Sequence, residues 1–236
     1  VKANTLSDII SDTAHARSFL LKKVGHLSGS TANLYLCSIK FFYQKVLKVQ
    51  AVIDLKFVRR RVRIPEVLSK EEILHCIDCT PNVKHKLMIA IAYGAGLRVS
   101  EVVNLKVVDL DFERKLIHIK KSKGGYDRMT ILPERLIPAL TNLINEKKRR
   151  LTHPHDLKER LELKYMRDED IRLSPLYQKA MRNYFLFESQ REGKLSTATA
   201  QKVFKKSLLR GCIFKPATFH SLRHSFATHL LESGTH

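Results

Sequence analysis

Residues 87–96 read LMIAIAYGAG, and a helix drawn through them has no charged face. A helix that is apolar all round must be covered on every side. This stretch therefore predicts a central core helix with other elements packed around it, in a domain large enough to enclose it. The flanks supply start and stop signals. Upstream, Ser69 and Glu72 in LSKEEI form a capping box, each side chain satisfying an orphan backbone N–H at a helix start. Downstream, Gly94 and Gly96 break the apolar run, and a new helix begins with Arg98, Val99, Ser100 and Glu101.

Beyond that helix the period changes. VVDLDFERKLIHIKKSKGGYDRMTILP, residues 107–133, alternates in places and carries turn signals at Phe112–Arg114 and at Lys123–Gly125. It predicts three antiparallel strands near 107–111, 115–121 and 127–132, with helices resuming from Pro133 to about Arg150. Residues 151–195 are polar and unevenly patterned, an insertion in which YFLFES reads as a short buried strand or anchor. A helix follows from Ser196 to Leu209, and Pro216–Thr218 lead into the last one, FHSLRHSFATHL, with Phe219, Leu222, Phe226 and Leu230 as its buried stripe. Near the N-terminus, residues 6–22 and 28–48 predict two helices, the second capped by Ser28 or Ser30 and buried through Leu34, Ile39, Phe42 and Leu47. The expected architecture is mainly α with a small three-stranded antiparallel sheet. Its parts are a small helical domain over 1–57, a basic linker over 58–67 and a main domain over 68–236.

Charge decides the class of partner. Lys and Arg number 43 against 23 Asp and Glu, a formal net charge of +20, which points to a polyanion. Five cations, Lys56, Arg59, Arg60, Arg61 and Arg63, fall within eight residues; they are either a solvated charge run or a segment tracking along phosphates. A membrane surface is the weaker alternative, because Trp is absent and no apolar run approaches a bilayer span. Cys76 and Cys79, with His75 and His85 nearby, have no second Cys pair to complete a zinc site, so no metal is expected.

Three places could carry chemistry. Arg98 follows a Gly-rich bend at a helix start, where close backbone approach, free N–H groups and a planar guanidinium suit a phosphate. Glu101 could hold that guanidinium, although a plain surface Arg–Glu pair fits the same residues. Lys123 sits at a hairpin tip, where most lysines only keep the tip soluble but one could deliver a proton to a leaving oxygen. His220 and Arg223 share a helix face at i and i+3, while His224 and His229 are expected to point elsewhere.

Taken together, GAGLRVSE, the hairpin SKGGYDR and HSLRHSFATHLL, in this order and spacing, resemble the tyrosine recombinase (phage integrase) family over about residues 28–236. The insertion after the Lys hairpin is similar to that of integron-type integrases. The resemblance implies a site-specific recombinase that breaks and rejoins double-stranded DNA through a 3′-phosphotyrosine. It implies a partial helical core-binding domain, then the catalytic domain, clamped around the duplex. Arg98 and Arg223 would bind the scissile phosphate, His220 would help accept the nucleophile's proton, and Lys123 (or failing that Lys121) would protonate the leaving 5′-hydroxyl. No cofactor or metal is implied, and the localisation would be cytoplasmic, on the nucleoid. Members of the family form a homotetramer on DNA. The family pattern continues past the last helix to a nucleophilic Tyr, whereas the seven Tyr here all precede His220. The chain is therefore expected to be truncated at both ends and monomeric. The alternative is a catalytically dead DNA-binding remnant that interferes with an intact relative.

Overall fold

The computed structural model describes residues 13–24, 26–46, 48, 56–58, 65–120, 126–152, 184–189 and 193–234. Two compact units are present, Val1–Ile64 and Pro65–His236.

In the first unit, α1 (Thr13–Val24) and α2 (Gly29–Phe41) form a helical hairpin, and a π-type turn extends α2 over Phe42–Val46. Ser28 caps α2, its hydroxyl accepting the Thr31 N–H at 3.2 Å. The small core is Leu20, Leu36 and Tyr43, with Ala16 and Ile39 against it. This corrects the expected stripe on α2. Leu34 is 65% exposed and Phe42 47%, because Ala32, Leu36 and Tyr43 turn inward instead; Leu47 lies outside the described residues. Asn33 is buried yet satisfied: its amide donates to the Val58 carbonyl at 3.0 Å and accepts the Val58 N–H at 2.8 Å, pairing with extended chain as a strand would.

The second unit is built around the predicted central helix. α3 (Lys70–Asp78) begins at the expected capping box, with Ser69 and Glu72 exchanging bonds of 3.2 and 2.8 Å. α4 (Val83–Gly94) follows, and all of Leu87, Met88, Ile89, Ala90, Ile91 and Ala92 are buried. The short α5 (Val99–Asn104) leads to the sheet, in which β1 (Leu110–Asp111), β2 (Leu116–Ile119) and β3 (Arg128–Ile131) pair antiparallel in sequence order. The first strand is shorter than predicted. Residues 107–109 form a single 3-10 turn in which Asp109, buried, accepts the Lys106 N–H and pairs with Lys120 at 2.6 Å.

α6 (Ile137–Thr152), α7 (Thr197–Arg210) and α8 (Phe219–Glu232) complete the unit. Of the insertion, residues 153–183 lie outside the described residues. YFLFES acts as an anchor: Leu186 and Phe187 are fully buried, and the Leu186 N–H donates to the Leu105 carbonyl at 2.7 Å. Lys147 of α6 is buried beside it, donating to the Phe185 carbonyl at 2.9 Å and pairing with Glu188 at 3.1 Å. It falls at i+7 from Leu140 and i+3 from Ile144, on the buried face of that helix.

α8 packs on α4, as the all-apolar helix requires, but its buried stripe also needs correcting. Phe219 and Leu222 are buried, Phe226 is only half-buried, and Leu230 is 37% exposed. Burial passes instead through Ser225 and His229, two polar residues that are both satisfied. Ser225 Oγ accepts the Leu68 N–H at 2.9 Å, and His229 Nδ1 lies 2.8 Å from the Tyr93 hydroxyl. Cys76 is buried in the core, and that burial, with Cys79 nearby, pushes its thiol up to about 12. No helix among the described residues is long and apolar enough to cross a membrane.

Candidate active site

The site forms where α4 stops. Gly96 adopts φ +60°, a left-handed conformation that glycine reaches without steric cost, and its Cα faces the Phe226 ring of α8. This turn delivers Arg98 in extended conformation (φ −74°, ψ 154°) to the start of α5. The next turn of that helix brings Glu101 back over it. Glu101 Oε2 accepts the Arg98 backbone N–H at 2.8 Å, while Oε1 accepts the Arg98 guanidinium at 2.8 Å. The carboxylate is buried, with 5% of its side chain exposed.

Two further guanidinium groups reach the same carboxylate from distant elements. Arg128, the first residue of β3, donates through Nη2 to Glu101 Oε2 at 2.8 Å. Arg223 of α8 brings Nη1 to 3.9 Å from that oxygen and donates to the Gly96 carbonyl. Three arginines thus surround one carboxylate, leaving the cluster with an excess of positive charge. All three remain about one-third exposed, so the excess faces solvent.

The charge balance sets the direction in which each group's pKa moves. Burial alone would raise the Glu101 carboxyl, but the Arg98 N–H and the Arg128 and Arg98 guanidinium groups outweigh it and hold it below the usual range. Arg223 is lowered by burial and then by Arg98 and Arg128, a mutual repulsion that a bound anion would relieve. His220, on the exposed side of α8, is lowered by burial, then by His224, Arg223 and Arg98, so its imidazole is neutral at pH 7. The His224 ring does not point away as expected. At i+4 it stands T-shaped against His220, with ring centroids 4.6 Å apart.

The sign of the pH dependence follows. A histidine with a depressed folded pKa binds its proton more weakly folded than unfolded. Its contribution to stability is therefore full above the unfolded value of 6.5 and is lost as pH falls through the folded value. His85, lowered by burial and Lys84, acts in the same sense. Imidazole NMR should place the His220 midpoint below 6.5, and inorganic phosphate should move it upward. A midpoint at or above 6.5 without phosphate would contradict this electrostatic picture.

Of the candidates, Arg98, Glu101 and Arg223 come together, with His220 in the electrostatic field of Arg98 and Arg223. Lys123 and its fallback Lys121 lie in 121–125, outside the described residues, as do Arg59, Arg60, Arg61 and Arg63. Lys56 is described and is exposed on the first unit. Arg128 was missed. The sequence carries no local signal for it: on β3 Arg128 and Thr130 are half-buried while Met129 and Ile131 are each 50% exposed, an inversion of the usual pattern.

Paired guanidinium forks beside a helix start and a neutral imidazole make a centre suited to gripping a phosphodiester. Comparison with known proteins agrees with that class. Residues 66–236 match the phage integrase family, and the chain belongs to it, among the tyrosine recombinases. It is 32% identical over 221 residues to an integrase/recombinase of Escherichia coli, a match covering 88% of this chain and 65% of that protein. It is 33% identical over 175 residues to the tyrosine recombinase XerA of Pyrococcus furiosus, covering 72% of this chain and 50% of XerA. The chain thus spans between half and two-thirds of these relatives. In fold it resembles the Tn1549 transposon integrase in complex with circular intermediate DNA, with a TM-score of 0.65 at 22% identity, covering 96% of this chain and 75% of that one.

Proposed function

We propose that this chain carries the phosphate-activating part of a site-specific DNA strand-exchange centre. The observation that carries the reading is the convergence of Arg98 and Arg223, from opposite ends of the second unit, on one buried carboxylate. Their N–H groups would hold the two non-bridging oxygens of the scissile phosphate and stabilise the charge that grows there in the transition state. The resemblance puts the attacking tyrosine C-terminal to α8. Its hydroxyl oxygen bonds to phosphorus, its proton passes to neutral His220, and the P–O5′ bond breaks. Lys123 then protonates the departing 5′-oxygen. That lysine belongs to the connection between β2 and β3, and β3 begins with Arg128, which is already bound to Glu101.

The substrate of this reading is duplex DNA; the transposon integrase of similar fold is in complex with circular intermediate DNA. Lys56, Arg59, Arg60, Arg61 and Arg63 would track its backbone, and the complete protein would assemble as a tetramer across two duplexes in the cytoplasm. If six to ten phosphates are neutralised, affinity should fall by about 10³–10⁵ between 50 and 200 mM salt. The deciding test is covalent. The full-length product would be incubated with a plasmid carrying the DNA that flanks its own gene, then denatured in detergent. Protein joined to a DNA 3′ end is the expected result. Salt-sensitive binding with no adduct would overturn the enzymatic reading and leave a non-cutting DNA binder.

A further inference from the structure

Arg128 has no part in the chemistry above, yet it holds the carboxylate on which that chemistry turns. A carboxylate oxygen offers two lone pairs. Those of Glu101 Oε2 are taken by the Arg98 backbone N–H and by Arg128 Nη2, each at 2.8 Å. Arg223 Nη1, 3.9 Å from the same oxygen, is left outside hydrogen-bond range and donates to the Gly96 carbonyl. Arg128 serves Glu101 through a single N–H, and its Nε is buried without a hydrogen-bond partner among the described residues. Arg–carboxylate pairs frequently use both arms of the fork, and the Arg128–Glu101 pair uses one.

From this competition for one oxygen we infer that Arg128 is a positioning residue: by occupying Glu101 it keeps Arg223 from being captured there and leaves that guanidinium free for phosphate. The inference rests on the reading that Arg98 and Arg223 bind the phosphate. Without Arg128, a shift of about 1 Å would bring Arg223 within hydrogen-bond range of the vacated lone pair, where the carboxylate would hold it more strongly than a backbone carbonyl does. The strand that follows Lys123 in the sequence would then set the availability of Arg223.

The experiment is a double-mutant cycle on this chain, read as affinity for inorganic phosphate through the guanidinium N–H signals. Arg128→Met should weaken phosphate binding about tenfold, because Arg223 closes onto Glu101. In a Glu101→Gln background, where no carboxylate remains to capture Arg223, the same change should cost about twofold or less. Arg128→Lys, which keeps a charge and one donor, should stay within about threefold of the parent. Equal losses in both backgrounds would overturn the inference, making Arg128 an independent charge or a brace; so would no loss at all. If Arg128→Met does not fold, the cycle is run with Arg128→Ala, which also vacates Glu101, and additivity there overturns it too. Unchanged phosphate affinity in Arg223→Ala would instead sink the phosphate reading of the pocket itself.

Discussion

On the proposed function, alanine at Arg223 is expected to slow strand cleavage by the full-length protein about 10²–10³-fold, the usual cost of removing one preorganised donor to developing transition-state charge. Binding to duplex DNA should change far less, since one of many phosphate contacts is lost. The two effects separate because Arg223 lies within the cluster rather than on an outer basic surface. Its guanidinium is anchored at the Gly96 carbonyl and 3.9 Å from Glu101, so in the proposed reaction it would arrive oriented and need no reorganisation. Lysine at this position keeps the charge but loses the planar fork, and should recover only part of the rate. Single-turnover cleavage of a duplex carrying the recombination site measures both variants. A loss of threefold or less in Arg223→Ala would remove this residue from the chemistry.

The second large effect is on stability. Gly96→Ala is expected to destabilise the second unit by about 2–5 kcal/mol, from two causes that add. A Cβ on Gly96 would stand 2.5 Å from Cδ1 and 2.8 Å from Cε1 of Phe226. The backbone there, at φ +60°, is one that side chains rarely adopt. Phe226 is only half-buried and can swing partly toward solvent, which sets the lower end of the range. Urea titration of the parent and the variant measures the difference, and a change below 0.5 kcal/mol would mean that the turn adapts freely. The same variant should weaken phosphate binding, because the carbonyl that anchors Arg223 belongs to Gly96.

Local signals made much of the fold legible. The capping box at Ser69 and Glu72 marks the start of α3 to the residue, since both bonds close within four residues. The unbroken apolar run makes α4 the buried centre, and the turn residues divide 107–133 into three antiparallel strands. Local pattern misled where burial was not apolar. On α8, Ser225 and His229 are buried because partners outside the helix, the Leu68 N–H and the Tyr93 hydroxyl, satisfy them. On β3, the exposed residues are Met129 and Ile131, so a hydrophobic-inward register hides Arg128 from a reader of the sequence.

The sequence by itself determined the elements, the excess of positive charge and the motifs that place the chain among the tyrosine recombinases. Those properties are written within a few residues of one another: a cap, an apolar period, a run of arginines. Only the tertiary structure decided which cations join Arg98 on its counter-ion. Arg98, Arg128 and Arg223 meet on Glu101 because α8 packs on α4, Gly96 turns the chain beneath Phe226, and β3 presents its polar face inward. Contacts between residues so far apart in the chain depend on how whole elements pack, which no local window encodes.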